Sequence, residues 1–519
     1  MRTTRRTFLT GALAAGATLP LAGWGQLQSE AGARPQQPPA DLPPGLFALG
    51  VASGDPLPRA VVLWTRLAPA PTAGGGMPPV DVPVRWEVAT DDAFRRVVRR
   101  GDAVAEARFG HAVHVDVRRL EPASWYHYRF IVGDQVSPVG RTRTAPLRTR
   151  DADRLRFLFG SCQNWQSGFW PLWAHAPAED PDLVLHLGDY IYEGGAGTGP
   201  TIVRPHNGPE IVTLDDYRNR YGLYKGDPAL QGIHATCPWI VTWDDHEVEN
   251  NYAGLVPQFP AEAPAFPARR AAAYQAWWEH MPVRMPPPTG PDLTIYRSFD
   301  WGRLARFHVL DTRQYRTDQP CGDGTGPTCP ERTDPARTLL GTDQEAWLGA
   351  GLADSRATWD VLANQVVMTS MQLAGSVYNR DQWDGYAASR SRLLGQLQAG
   401  GVANAVVLTG DIHAAGVGDL VDEDPDGTPG TQAYGTELVG GSISSRFDEA
   451  VADIAQQLIA ALPHVRFADT RRRGYMVCDA TETELVTRFQ VVDSTATPDA
   501  PVYNAGSWTT LAGIPGVQT

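Results

Sequence analysis

Leu183-Val184-Leu185-His186-Leu187-Gly188-Asp189-Tyr190-Ile191-Tyr192-Glu193 is an apolar run that ends on a glycine and opens at once into acidic and aromatic residues. A short apolar run bounded by turn residues reads as a buried strand. Charged side chains delivered at the carboxyl end of a strand are what line the ligand crevice of an α/β sheet. The pattern recurs: Leu155 to Gly160 runs into Ser161-Cys162-Gln163, Trp239 to Trp243 into Asp244-Asp245-His246-Glu247, and Ala405 to Gly410 into Asp411-Ile412-His413. Leu304 to Asp311 and Trp359 to Ser370 read as two more strands. Helices are expected at Ala268 to His280, at Thr342 to Ser355 with Thr342 and Glu345 as a capping box, and at Phe447 to Leu462. Strands alternating with helices predict an α/β layered domain over residues 150–519.

The preceding stretch, 47–145, has a different texture. Short alternating segments such as Val82-Pro83-Val84-Arg85-Trp86-Glu87-Val88, separated by turn residues, predict a small all-β sandwich. Leu120-Glu121-Pro122-Ala123-Ser124-Trp125-Tyr126 resembles the proline-then-aromatic strand of fibronectin type III domains. A proline-rich linker, 34–46, joins this domain to the amino terminus.

Residues 1–33 carry Arg5-Arg6-Thr7-Phe8-Leu9 and then a small-residue apolar stretch from Gly11 to Ala22, too short to span a bilayer. This reads as a twin-arginine export signal, with Ala31-Gly32-Ala33 as cleavage site, and predicts a periplasmic or extracellular protein handled by the twin-arginine machinery. No other stretch suits a membrane span. The 519 residues, 42% hydrophobic and 20% charged, carry a net charge of −13, which disfavours a stable nucleic-acid complex, because phosphate-backbone binding needs clustered cations. An anionic substrate must then be held locally, by metals. Of the five cysteines, Cys321 and Cys329 bracket a short Gly- and Pro-rich loop and suit a disulfide, while Cys237 and Cys478 suit buried structural thiols.

The four strand-end motifs together resemble the metallophosphoesterase superfamily: Gly188-Asp189 with Tyr192 meets its second motif. Cys162 stands where that superfamily has its first Asp, Asp245-His246-Glu247 replaces Asn-His-Glu, and Asp411 replaces the first His of the last motif. Those departures are the pattern of the PhoD-like alkaline phosphatase and phosphodiesterase family. The likeness extends through Leu310-Asp311-Thr312-Arg313-Gln314-Tyr315-Arg316 and Trp383-Asp384-Gly385-Tyr386 and includes the amino-terminal sandwich. It implies a metallophosphoesterase-like β-sandwich core flanked by helices, and a ferric ion beside calcium. Ligand chemistry agrees. Cys162, Tyr192 and His413 suit Fe³⁺, Asp245 and Asp411 suit Ca²⁺, and Asp189 bridges. The implied reaction is hydrolysis of a phosphate ester by a metal-activated water. His246 then stands either as general acid or as a partner of a neighbouring carboxylate. Asp244 and Glu247 are expected to fix loop geometry. Arg313 and Arg316 are open to two readings, phosphate contact or structural ion pair.

Two other classes compete: an exported redox enzyme, and a surface-binding β-sandwich protein with an inert second domain. The first lacks a haem-attachment or cluster cysteine pattern. The second does not need so many strand-end ligands.

Overall fold

The computed structural model describes residues 38–39, 41–372, 376–377, 379–424 and 428–518. The expected export signal and most of the linker's first residues lie outside them.

The strand Leu183–His186 is buried along its whole length, as are Trp359–Ala363 and Ala405–Thr409. Continuous apolar runs of this kind belong to parallel strands covered on both faces. Leu155–Gly160, Leu183–His186 and Trp239–Val241 pair in parallel within a nine-stranded sheet. Ala305–Val309, Trp359–Ala363, Ala405–Thr409 and Pro429–Gly440 pair in parallel within a seven-stranded sheet. The sheets face one another across Phe157, Phe159, Leu185, Ile240, Phe307, Val361, Val406 and Leu408. Helices cover the outer faces. On one side Trp173, Tyr221 and Trp277 pack on Val184 and Val241; on the other Leu348, Leu352, Leu393 and Leu397 pack on Leu362 and Val407. The result is the layered α/β sandwich that the motifs implied.

The amino-terminal β-domain is built as expected, with one difference in how it closes. Val82–Ala89, Val97–Ala105, Trp125–Val132, Gln135–Val136 and Gly140–Arg143 form one five-stranded sheet. Its partner strands, Val51–Leu57, Ala60–Arg66 and Ala112–Arg118, are the last three of the nine-stranded sheet. Val84, Val88, Tyr128 and Phe130 pack there on Val61, Leu63, Val113 and Val115. The join is one parallel pairing, Gly54 to Trp239. A Cβ at Gly54 would lie 2.2 Å from Pro282 O and 2.7 Å from Trp239 O, so no larger residue fits.

Several element boundaries differ from the expectation. The capping box does not form. The helix is Thr342–Ala353 with Gly341 at its N-cap, because Glu345 is engaged by Thr338, Ser389 and Arg392. The helix expected over Phe447 to Leu462 is Ala452–Ala460, and the strand expected to reach Ser370 ends at Ala363. The helix at Ala268 starts at Phe266. Cys321 and Cys329 form a disulfide, and Cys237 and Cys478 are buried free thiols, as expected.

Candidate metal centre

Every parallel strand named above ends on the same side, and the loops that follow converge from both sheets. The turns are tight enough to force unusual backbone: Cys162, Asp189, Asp411 and His413 all adopt left-handed φ, between 54° and 61°. Non-glycine residues hold this conformation at a cost of roughly 1–3 kcal/mol each and concentrate at functional sites. Gly188, at φ 110°, precedes Asp189, and a Cβ there would lie 2.5 Å from the Asp244 backbone N and Cβ. This is why the strand must end on glycine for the two acidic loops to touch.

Ligand atoms of Cys162, Asp189 and His413 lie within 4.8 Å of one another, as do those of Asp189, Asp245 and His246, and those of Asp244, Asp245 and Asp411. The six residues expected to hold metal are thus brought into one cluster, Tyr192 through its hydroxyl, 2.9 Å from Asp189 Oδ2, 3.1 Å from His413 Nε2 and 2.7 Å from Ser445 Oγ. Asp244 joins the oxygen-rich end, beyond the supporting role expected of it. Glu247 does fix geometry: its carboxylate accepts the backbone N–H groups of Asp189, Tyr190 and Asp244 at 3.1, 2.6 and 2.8 Å.

The cluster is short of positive charge. Asp244, Asp245 and Asp411 gather around the Arg313 guanidinium, and Asp189 has only the His246 ring as its neighbouring cation. Asp189 Oδ1, Asp244 Oδ2 and Asp245 Oδ1 are buried with no hydrogen-bond partner. Unpaired buried carboxylate oxygens are costly. Burial, relieved in part by His246 and reinforced by Asp245 and Asp244, drives the Asp189 carboxyl well above its usual range; burial and Asp245 push Asp411 up to about 7 despite Arg313. Burial also pushes up the Cys162 thiol and the Tyr192 phenol, and Asp189 reinforces both. Acids pushed up by burial first and by one another's charge second are ones that a bound cation would return to their charged forms. His413 is already suited to bind one. Burial, with His246 and Arg473, lowers it to about 3, and Nδ1 lies 3.0 Å from Arg446 O, leaving Nε2 toward the cluster.

Burial opposes charge on His246, but Glu193, Asp245 and Asp189 raise it well above its ordinary value. Its Nδ1 lies 2.7 Å from Glu193 Oε2, and its ring packs on Tyr192 at 4.1 Å. The neighbouring carboxylate of one sequence reading is thus present and orients the ring. The arginines resolve differently. Arg313 and Arg316 side chains have no exposure. Arg313 is enclosed by Asp244, Asp381 and Asp411, and Arg316 by Asp381 and Thr312 O. The ion-pair reading is the one the structure supports, because the acidic centre needs its nearest cations for itself.

Sequence reasoning missed Glu193, Ser445, Asn251 and Gln382. Glu193 stood in view beside Tyr192. Ser445 follows an unexpected strand whose end, Leu438-Val439-Gly440-Gly441, repeats the apolar-then-glycine signal. Asn251 N–H and Gln382 Nε2 hold one oxygen each of Asp245 and Asp411, at 2.7 and 2.6 Å. Nothing local to those two residues marks them.

The chain is similar to known phosphatases along most of its length. Residues 157–489 match the PhoD-like phosphatase family and residues 32–146 match the N-terminal domain of PhoD-like phosphatases. The chain is 46% identical over 474 residues to Alkaline phosphatase D of Bacillus subtilis (strain 168), covering 89% of this chain and 80% of that protein. A solved structure described as PhoD superposes with a TM-score of 0.86 at 43% identity, covering 94% of this chain and 93% of the other. With both domains matched in order and a solved relative covering nearly its whole length, this chain belongs to the PhoD-like phosphatase family.

Proposed function

We propose that this chain is an exported, metal-dependent phosphoesterase whose reaction takes place at the cluster of Cys162, Asp189, Tyr192, Asp245, Asp411 and His413. The observation that carries the reading is the charge deficit: four clustered aspartates, three of their oxygens buried without a hydrogen-bond partner, around one guanidinium and one imidazole. The relative named Alkaline phosphatase D supports phosphate esters as the substrate class. Cys162, Tyr192 and His413 would hold iron as Fe³⁺, since a phenol becomes a ligand only to a strongly Lewis-acidic ion and the thiol adds a soft donor beside it. Asp245 and Asp411, with Asp244 beside them, would hold calcium as Ca²⁺, and Asp189 lies between the two groups. When bound, these ions supply the positive charge that holds the phosphate oxygens and makes water nucleophilic near neutral pH.

The chain's own part is orientation and proton delivery. Glu193 accepts from His246 Nδ1 and, through Oε1, from Asn250 N–H at 2.8 Å, so the ring is held with its other nitrogen free to give a proton to the leaving oxygen. Ser445 Oγ, which bridges Tyr192 and the Cys162 carbonyl, keeps the phenol in place. Export by the twin-arginine pathway to the periplasm or beyond is supported by Arg5-Arg6 with Phe8-Leu9 and by the Cys321–Cys329 disulfide, which belongs in an oxidising compartment.

The test is metal analysis of protein from an exporting host, combined with kcat/KM across phosphomonoesters and phosphodiesters. Iron, calcium and a visible absorption band are expected. Calcium chelation and Asp245→Ala are each expected to remove activity. A colourless, iron-free and fully active preparation overturns the iron site, and a fully metallated protein that cleaves no phosphate ester overturns the function.

A further inference from the structure

The loop closed by Cys321 and Cys329 lies against the oxygen-rich end of the metal cluster and reaches it by two routes. On the first, Asp323 Oδ2 accepts from Asn251 Nδ2 at 2.7 Å. Asn251 sits in the left-handed region at φ 52°, and this turns its backbone N–H onto Asp245 Oδ2. Gln319, two residues before the disulfide, donates to both Asn251 O and Asp381 Oδ1, at 2.8 and 2.7 Å. On the second route, Arg380 stitches the loop to the chain that follows. Its N–H donates to Gly324 O at 3.1 Å and its guanidinium to Cys321 O at 3.1 Å and Pro327 O at 3.3 Å. Two residues on, Gln382 accepts Val367 N–H and donates to Asp411 Oδ2.

Both routes end the same way. In Asp245 and in Asp411 the Oδ2 atom is held by a donor tied to this loop; Asp245 Oδ1 has no hydrogen-bond partner, with Arg313 Nη2 3.7 Å away, and Asp411 Oδ1 meets the same Nη2 at 3.3 Å. A carboxylate pinned through one oxygen presents the other in a fixed direction, and that outer hydrogen bond sets cation affinity. The disulfide shortens the loop to a closed ring of residues 321–329, so Asp323 and the carbonyls that Arg380 reads are not free to drift.

We propose that the disulfide-closed loop is a clasp that positions Asp245 and Asp411, with Asp323 acting through Asn251 as a positioning residue for the hard cation. The inference rests on the calcium assignment above. The two are separable, because a loop that serves stability alone changes melting and leaves affinity untouched.

The experiment titrates Ca²⁺ calorimetrically into iron-loaded protein stripped of calcium. Asp323→Ala and the double variant Cys321→Ser/Cys329→Ser are each expected to raise the half-saturating Ca²⁺ concentration about ten-fold, with the iron absorption band unchanged. Asp323→Asn, which keeps the acceptor, is expected to bind as the parent does. Asp323 is exposed, so its variants test the idea even where the double serine variant does not fold. Parent-like affinity in Asp323→Ala, whatever its melting temperature, overturns the clasp. A parent protein that binds no Ca²⁺ overturns the cation assignment and the clasp with it.

Discussion

Cys162 shows how far a single residue can be read. Its place at a strand end, where a relative's pattern has Asp, made it a ligand candidate, and the structure buries it completely in left-handed backbone with its sulfur 3.1 Å from Ser161 Oγ. A merely structural thiol exchanged for serine would lose about 1 kcal/mol of packing and keep its colour. As a ligand, Cys162→Ser is expected to lose iron or shift the visible band and to lower kcat by at least about ten-fold, because a neutral hydroxyl cannot replace a thiolate. Cys162→Asp should recover iron only in part. Metal content and absorption spectra of the two variants decide it, and parent-like values in the serine variant would remove Cys162 from the centre. Arg313 teaches the converse lesson. An arginine in a family motif was compatible with binding phosphate or with pairing carboxylates, and only its enclosure by Asp244, Asp381 and Asp411 chose between them.

Elements were legible where burial alone dictated them. Leu183–His186, Ala405–Thr409 and Trp239–Val241 lie where continuous apolar runs predicted strands. One failure came where a side chain had a better partner far away: Glu345 left the capping box for Arg392, 47 positions on. The amphipathic helix near the carboxyl end is shorter than its pattern, Ala452–Ala460. The turn after Leu183–His186 gives a test at this scale. Gly188→Ala adds a Cβ against the Asp244 backbone in a conformation that L-residues rarely adopt, and should cost about 2 kcal/mol or more of stability and most of the activity. Gly194→Ala, where a Cβ meets nothing within 4 Å, serves as the control and should change little. Denaturant unfolding and turnover of the pair check the prediction; equal effects would mean that the close approach of the two loops does not matter.

At the scale of the whole molecule the main finding is a shared sheet. The amino-terminal β-domain closes on strands that belong to the nine-stranded catalytic sheet, and buried Asp55 ties the junction to Arg297 and to the Arg284 N–H. Behind that sheet lies Lys225, the only lysine of the chain, buried over Trp64 at 4.4 Å with its Nζ 3.3 Å from Tyr190 Oη. The groups facing it are Tyr190, His186, His234 and His280, and among the described residues no carboxylate is within ion-pair distance. Burial alone lowers the amine from 10.5 to about 7. The folded state therefore holds this proton more weakly than the unfolded chain, so the stability present above pH 10.5 is lost as pH falls toward 7 and stays lost below it. Lys225→Met should stabilise the protein by about 2 kcal/mol or more at pH 7, and by progressively less toward pH 10.5. Melting curves across that range check it, and a gain that is the same at every pH would exclude protonation as the cause. Among the described residues no helix is long and apolar enough to cross a membrane. What the sequence by itself determined was local and chemical: which runs are strands, because burial on both faces demands unbroken apolar residues, and which strand ends carry side chains able to bind a metal. What only the tertiary structure decided was relational. Asn251, Gln382 and Glu193 act across 6, 29 and 53 positions of chain, and Arg313 meets its carboxylates across up to 98. Such contacts have no period or motif, because they are set by where the two sheets bring their loops together.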